Sequence, residues 1–289
     1  MVGDDLWFTL TTPGLELRIG LEEIGKVRIH EEIIPELLEK LASAIKSDGV
    51  AKHPVLVDSN TLVVLDGMHR VAALERLGCK YLPACLIDYR SPSVKVRCWY
   101  RAVLGDISQG ELRAILKSLG LRFVAKPRRE AMGALGRREA LVAILTGKTF
   151  HLVKDTGRDI GGIYTWIKRL EGALRVNGLS VSYETEIDAE EKVRSGGAGA
   201  ALMTPRVKKE EVIKAALSGR VLAHKTTRHI VAARPMGIDV PLEWLRGERS
   251  PEEVNRMLVE HLSKRNVKRL PKGSMFEGRR YEEELWIFE

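Results

Sequence analysis

Apolar and polar positions alternate in short runs over the first hundred residues. "LELRI" and "IGKVRI" each show the period of two expected of half-buried strands. Pro35 then opens "PELLEKLASAIKSDG", where Leu37, Leu38, Leu41 and Ile45 recur at helical spacing before Gly49. A proline start and a glycine stop bound that helix. "PVLVD" and "TLVVLD" flank Ser59-Asn60 as a hairpin. "HRVAALERLG" is a helix ending at Gly78, and "LPACLID" and "VKVRCWYR" are further strands. Helices and strands do not alternate strictly, so the pattern predicts a mixed α+β fold and not a doubly wound sheet.

The texture changes near Leu104. "GELRAILKSLG" and "RREALVAILTG" have helical spacing, "DTGRDIGG" is a glycine-rich turn, and "IYTWIKRLEGAL" is an amphipathic helix. A strand "AALMT" and a helix "RVKKEEVIKAALSG" precede the extended, basic "RVLAHKTTRHIVAARPMG". "PLEWLRG" and "SPEEVNRMLVEHLSKR" are the last helices. No repeat of fixed period occurs. Two domains are expected, 1–104 and 105–289, with a cleft between them.

The composition is that of a soluble globular protein, 44% hydrophobic and 30% charged over 289 residues. No apolar stretch reaches bilayer-spanning length, and the acidic start "MVGDDLWFTL" is not a signal peptide, so a cytoplasmic protein with no membrane partner is expected. Cys79, Cys85 and Cys98 are an odd number without CxxC spacing, which predicts free thiols and argues against a zinc site or a disulfide framework. A single Gln and four Asn match a thermophile's avoidance of labile amides. The net charge of +8 is uneven: residues 1–104 carry 13 basic against 14 acidic groups, and the remainder 34 against 25. That excess suits nucleic acid or a small phosphorylated ligand, or is simply a solvated basic surface.

Three clusters carry candidate chemistry. "LVVLDGMHR" ends a strand on Asp66, Gly67, Met68, His69 and Arg70, where the next helix begins. A helix start offers free N–H groups and a positive dipole end to a phosphate. His69 and Arg70 would add charge-assisted bonds, while Asp66 would hold a metal or orient a donor. The alternative is a capped turn, with Asp66 as N-cap and Arg70 at the surface. In "RIHEEIIP", His30, Glu31 and Glu32 occupy a connection from which a carboxylate can act as a general base; the alternative is a pair of exposed acids complementing the next helix. In "HKTTRHIVAARP", Lys225, Thr226, Thr227, Arg228 and His229 gather hydroxyls and three candidate cations without any P-loop. Trp99, in "RCWYR", would wall a pocket or fill a core.

Taken together, "HEE … VLDGMHRVAAL" resembles the ParB/sulfiredoxin-like fold. The whole chain resembles the archaeal ADP-dependent free serine kinases within it, through "RCWYR", "KTTRHIVAARPMGIDVPLEWL" and "FEGRRYEEE". The resemblance implies a ParB/sulfiredoxin-like nucleotide-binding domain over 1–104 and a second α/β domain completing a serine and phosphate site. It implies transfer of the β-phosphoryl group of ADP to free L-serine, with Mg²⁺, giving O-phospho-L-serine and AMP in serine and cysteine metabolism.

The family's catalytic glutamate then falls on Glu31, with Glu32 second. The phosphate turn falls on Asp66, Gly67, Met68, His69 and Arg70. Serine and phosphoserine contacts fall on Trp99, Thr227, Arg228 and His229. The family's turn usually reads DGHHR, and Met68 replaces its first histidine. A sulfiredoxin would carry a cysteine beside the His-Arg pair, and a ParB partition protein a helix-turn-helix after its first domain; neither is found. An ATP-dependent serine kinase and a ParB-like DNA-binding regulator are the rival readings.

Overall fold

The computed structural model describes residues 6–154 and 157–289; the first five residues, and Asp155-Thr156 of the glycine-rich turn, lie outside the described residues. Two compact units form. The first takes the described residues up to Lys95 together with Val212–Arg220 and His229–Glu289, and the second takes Val96–Glu211 and Val221–Arg228. The chain thus passes between units four times, whereas a single boundary at 104 describes two continuous domains.

The first unit begins with a hairpin, β1 (Phe8–Thr12) and β2 (Leu15–Glu23). "IGKVRI" does not continue as a strand. Ile24–Lys26 is a 3-10 turn, its first N–H donating to the Lys80 carbonyl, and Arg28 makes one isolated bridge to Val63. Helix α1 (Pro35–Asp48) starts and stops where expected, with Gly49 at φ 70° donating its N–H to the Ile45 carbonyl. Its buried residues are Ala42 and Ile45; Leu37 lies off that face, 46% exposed. The hairpin of β3 (Val55–Asp58) and β4 (Val64–Asp66) leads into α2 (Met68–Arg76) and β5 (Tyr81–Ile87). The sheet order is β1-β2-β5-β3-β4, antiparallel except for the β3–β5 pair. Every residue of the central β5 is buried. Asp66 therefore stands at the end of an edge strand, and α2 begins directly beyond it.

The second unit is a six-stranded antiparallel sheet with helices α3 (Gln109–Ser118), α4 (Arg128–Gly136), α5 (Ile160–Val176) and α6 (Glu186–Arg194). Its strands are β6 (Tyr100–Leu104), β7 (Phe123–Lys126), β8 (Ala140–Thr146), β9 (Thr149–Lys154), β10 (Ser180–Glu184) and β11 (Ala200–Met203). They run in the order β10-β6-β11-β8-β9-β7. The expected helix "RREALVAILTG" is a strand: Ala140–Thr146 is buried throughout and sits between β11 and β9. A short, uniformly apolar run has no period by which to tell a buried strand from a buried helix. The helix lies one segment earlier, in α4. "VKVRCWYR" is likewise two pieces, Lys95–Arg97 and β6, parted at Cys98-Trp99.

Back in the first unit, β12 (Ala233–Met236), α7 (Pro251–Ser263), β13 (Val267–Leu270) and β14 (Glu284–Phe288) follow. The sheet order is β12-β14-β13, with β12 parallel to β14. Ser250 caps α7, and Asn255 on that helix accepts the Leu21 N–H of β2 at 2.7 Å. The last strands are thereby fastened to the first sheet. All three cysteines are free and buried, and no described helix is long and apolar enough to cross a membrane.

One buried ion pair organises the second unit beside Trp99. Arg101 donates from Nε to Glu171 at 2.7 Å and from a terminal nitrogen to the Trp99 carbonyl at 2.5 Å, and Tyr183 donates to the same carboxylate at 2.8 Å. Arg101→Met leaves Glu171 buried without its main counter-ion, and is expected to cost about 3–5 kcal/mol. The double variant Arg101→Met/Glu171→Met should recover most of that loss. Chemical denaturation of the three proteins checks both expectations.

Candidate functional site

Strand β4 delivers Asp66, and the chain turns at Gly67 with φ 99° to start α2 at Met68. The N-cap residue of α2 is Gly67 and not Asp66. Asp66 Oδ2 accepts from Arg70 at 3.2 Å and from Arg234 at 2.8 Å. Arg70 folds back over the turn: a Cβ on Gly67 would lie 2.7–3.0 Å from three atoms of the guanidinium group. Glycine is needed here twice, for its positive φ and for the room it leaves. The Arg70 Nε is buried and has no hydrogen-bond partner among the described residues. A guanidinium nitrogen lacking an acceptor, set over a helix N-terminus, suits an anion.

His69 faces the other way. The Ile34 N–H, at the start of α1, donates to His69 Nε2 at 3.0 Å. Nε2 must then carry its lone pair, so the ring proton sits on Nδ1 and the imidazole is neutral. The ring thus offers neutral rather than charge-assisted hydrogen bonds. Through this contact the first residues of α2 also fix the start of α1, just after Glu31 and Glu32.

Beneath the turn lies a buried polar network. His30 is fully buried, with Nδ1 2.9 Å from the Val64 carbonyl, and burial pulls its pKa down to about 4. His229 meets it edge to face at 5.7 Å, and the Tyr89 hydroxyl lies 2.8 Å from His229 Nε2. Burial, reinforced by His30, lowers the His229 pKa to about 3. His229 was expected among three cations and is a neutral core residue. Glu31, directly after His30, is buried as well, at 5% exposure. Two exposed acids at this connection are therefore not what the structure has.

The permanent charge in this network is Arg234, 4% exposed. It donates to Glu283 at 2.7 Å, to Asp66 at 2.8 Å and to the His229 carbonyl at 3.3 Å. Burial works against its charge, but Glu283 and then Asp66 outweigh that and raise its pKa above the ordinary arginine range. Arg234 and Glu283 are absent from the sequence expectations, although "AARP" and "YEEE" lie inside segments quoted there. No residue-type pattern marked them, because their partners are about 50 and 170 positions away.

In the second unit, Lys225 and Arg228 lie over the Trp99 ring, at 4.9 and 5.4 Å from its centroid. Arg228 also donates to Glu186 at 2.6 Å. Thr226 and Thr227 are buried, and Lys225 adopts φ 59°. The structure thus brings Trp99 and Arg228 together, and separately Asp66, Gly67, Arg70 and Arg234. No group of three or more His, Cys, Asp or Glu able to hold a metal ion occurs among the described residues.

No protein-family model matches the chain. It is 30% identical over 231 residues to an ADP-dependent L-serine kinase of Thermococcus kodakarensis, covering 77% of this chain and 91% of that protein. An ATP-dependent L-serine kinase of Staphylothermus marinus is 29% identical over 238 residues, covering 78% and 90%. A solved free serine kinase, a glutamate-to-alanine mutant in complex with ADP, superposes with TM-score 0.66 at 27% identity, covering 78% of this chain and 93% of that one.

Two imidazoles held neutral make stability depend on pH. Below the unfolded histidine value of about 6.5 the unfolded chain takes up protons that folded His30 and His229 refuse. Stability is therefore complete above that value and falls as the pH drops towards their folded values of about 4 and 3. Denaturation between pH 7 and 4 should show the loss, with a shallower pH slope for His30→Gln than for the wild type.

Proposed function

Because the chain belongs to the family of L-serine kinases, we propose that it transfers the β-phosphoryl group of ADP to the hydroxyl of free L-serine. The products are O-phospho-L-serine and AMP. The observation that carries this reading is the turn at Asp66–Arg70. There a helix N-terminus, a glycine with no room for a side chain and a guanidinium with an unsatisfied nitrogen converge. That is phosphate-binding chemistry, in a chain whose relative is named for ADP.

Phosphoryl transfer asks the protein mainly for alignment and charge neutralisation. In the proposed mechanism the serine Oγ attacks the β-phosphorus as its proton passes to the Glu31 carboxylate. The bond from that phosphorus to the bridging oxygen breaks, and the electron pair leaves with AMP. Burial of Glu31 supports its choice over Glu32, because a desolvated carboxylate is a stronger base towards a hydroxyl. Arg70, His69 and the first N–H groups of α2 are assigned to the phosphates. Met68, at the first position of α2, contributes backbone where the family's turn has an imidazole. Trp99, Thr227 and Arg228 are assigned to serine and phosphoserine. His229 is assigned as a neutral support for the segment it ends. The N-terminal part is assigned to the ParB/sulfiredoxin-like fold on the strength of this turn.

Asp66 is a poor metal ligand, since two guanidinium groups already share its Oδ2. It serves instead as the group that orients Arg70. Magnesium fits best as part of the substrate, carried on the nucleotide's phosphates with most of its water retained.

The direct test supplies serine and Mg²⁺ with either nucleotide. AMP and phosphoserine formed from ADP are the expected products. Phosphoserine from ATP alone, with ADP released, would move the chain to its ATP-dependent relatives. Glu31→Gln should lower kcat by about 10²–10⁴-fold with folding intact; full activity in that variant would falsify the assignment.

A further inference from the structure

The site described so far leaves Arg234 without a stated task, although it holds the most connected buried charge in the first unit. Two of its bonds run to carboxylates, Glu283 at 2.7 Å and Asp66 at 2.8 Å, and the third to a neutral carbonyl, that of His229, at 3.3 Å. The two ionic bonds are the shorter ones, and charge-assisted bonds are about twice as strong as neutral ones. Asp66 in turn is the anion that holds Arg70 over Gly67. A continuous line thus runs from Glu283 through Arg234 and Asp66 to Arg70. In this line two cations meet two anions, so its charge is balanced before any ligand arrives.

We propose that Arg234 is a positioning residue for the nucleotide, acting through Asp66 to aim Arg70, with Glu283 as its anchor. The proposal rests on the kinase reading above. A guanidinium is suited to this because its planar fork can address two carboxylates and a carbonyl at once; an ammonium at the same place supplies the charge without the fork. Arg234 and Arg70 share Asp66 Oδ2, and the Arg70 Nε lies against Gly67 without a hydrogen-bond partner among the described residues. Removing Arg234 takes one of two guanidinium groups from Asp66 Oδ2, so that Arg70 would be drawn into a closer pair with it and away from the phosphate.

Charge and geometry can be separated by three variants. Arg234→Lys keeps the charge and loses the fork. Arg234→Met/Glu283→Gln removes one cation and one anion, keeping the charge balance and sparing the fold an unpaired buried ion. Glu283→Gln alone keeps Arg234 and removes its anchor. KM for ADP, KM for serine, kcat and Tm are measured for each, and AMP binding is followed by calorimetry. For the lysine and double variants, KM for ADP should rise and AMP affinity should fall by about 10-fold or more, the size of one lost charge-assisted bond. KM for serine should stay within about 2-fold, because the ionic contacts lead to the phosphate turn. Glu283→Gln should show the same pattern, more weakly.

A purely structural role predicts a different result, in which losses follow Tm and affect both substrates alike. Wild-type ADP and AMP affinities in the lysine or double variant would overturn the proposal, as would equal rises in both KM values. Failure of the kinase reading is separable: a wild-type enzyme that turns over neither ADP nor ATP sinks that reading, while AMP binding by wild type and variants still scores Arg234.

Discussion

A guanidinium group cannot escape burial by giving up its proton. Wherever the chain buries one, it must also bring carboxylates, and in the first unit they come from far apart. Asp66 ends a strand of the N-terminal sheet, and Glu283 precedes the last strand of the chain. Arg234 lies in β12 between them in sequence and meets both. Replacing Arg234 leaves Glu283, 3% exposed, as an uncompensated ion in a low-dielectric interior, a far larger penalty than the pair's net gain. The parallel pairing of β12 with β14 and the direction in which Asp66 points are tied to that requirement.

The remaining polar groups around it are handled in the opposite way. His30 and His229 are kept uncharged by burial, and His69 is kept neutral by accepting a backbone N–H. The fixed charges are thus few and directed, and the imidazoles add shape and hydrogen bonds without adding charge. Such an arrangement is held by the protein's own charges and hydrogen bonds. Two buried nitrogens here, Arg70 Nε and His229 Nδ1, have no hydrogen-bond partner among the described residues.

Much of the local structure could be read from the chain itself. The Pro35 start and Gly49 stop of α1, the β3–β4 hairpin and the turn of strand into helix at Gly67 follow from residue types whose backbone preferences are strong. What failed were segments where local pattern has no vote. "ALVAILT" is a strand because sheet neighbours cover it on both sides, and "IGKVRI" is not one because its backbone partners lie elsewhere. The candidate site divides in the same way. Asp66, Gly67 and Arg70 announce themselves as a motif, and the structure brings them together. Arg234, Glu283 and Tyr89 are ordinary letters that matter only through contacts across 49 to 168 positions. The lowered pKa of His229 could not be read from spacing either, because protonation follows burial.

The order of the strands has a consequence for how the protein is made. The first unit includes β14, and Arg234 pairs with Glu283, yet both leave the ribosome after the whole of the second unit. Until they emerge, the nascent chain holds an N-terminal sheet with Asp66 at its edge and, later, an arginine lacking half of its counter-charge. Domains generally fold as they are synthesised, the earlier part first. Here the second unit has all its residues before the first does. The turn at Asp66–Arg70 can then gain its full set of ionic contacts only after Glu283 has emerged, later than every residue of the second unit.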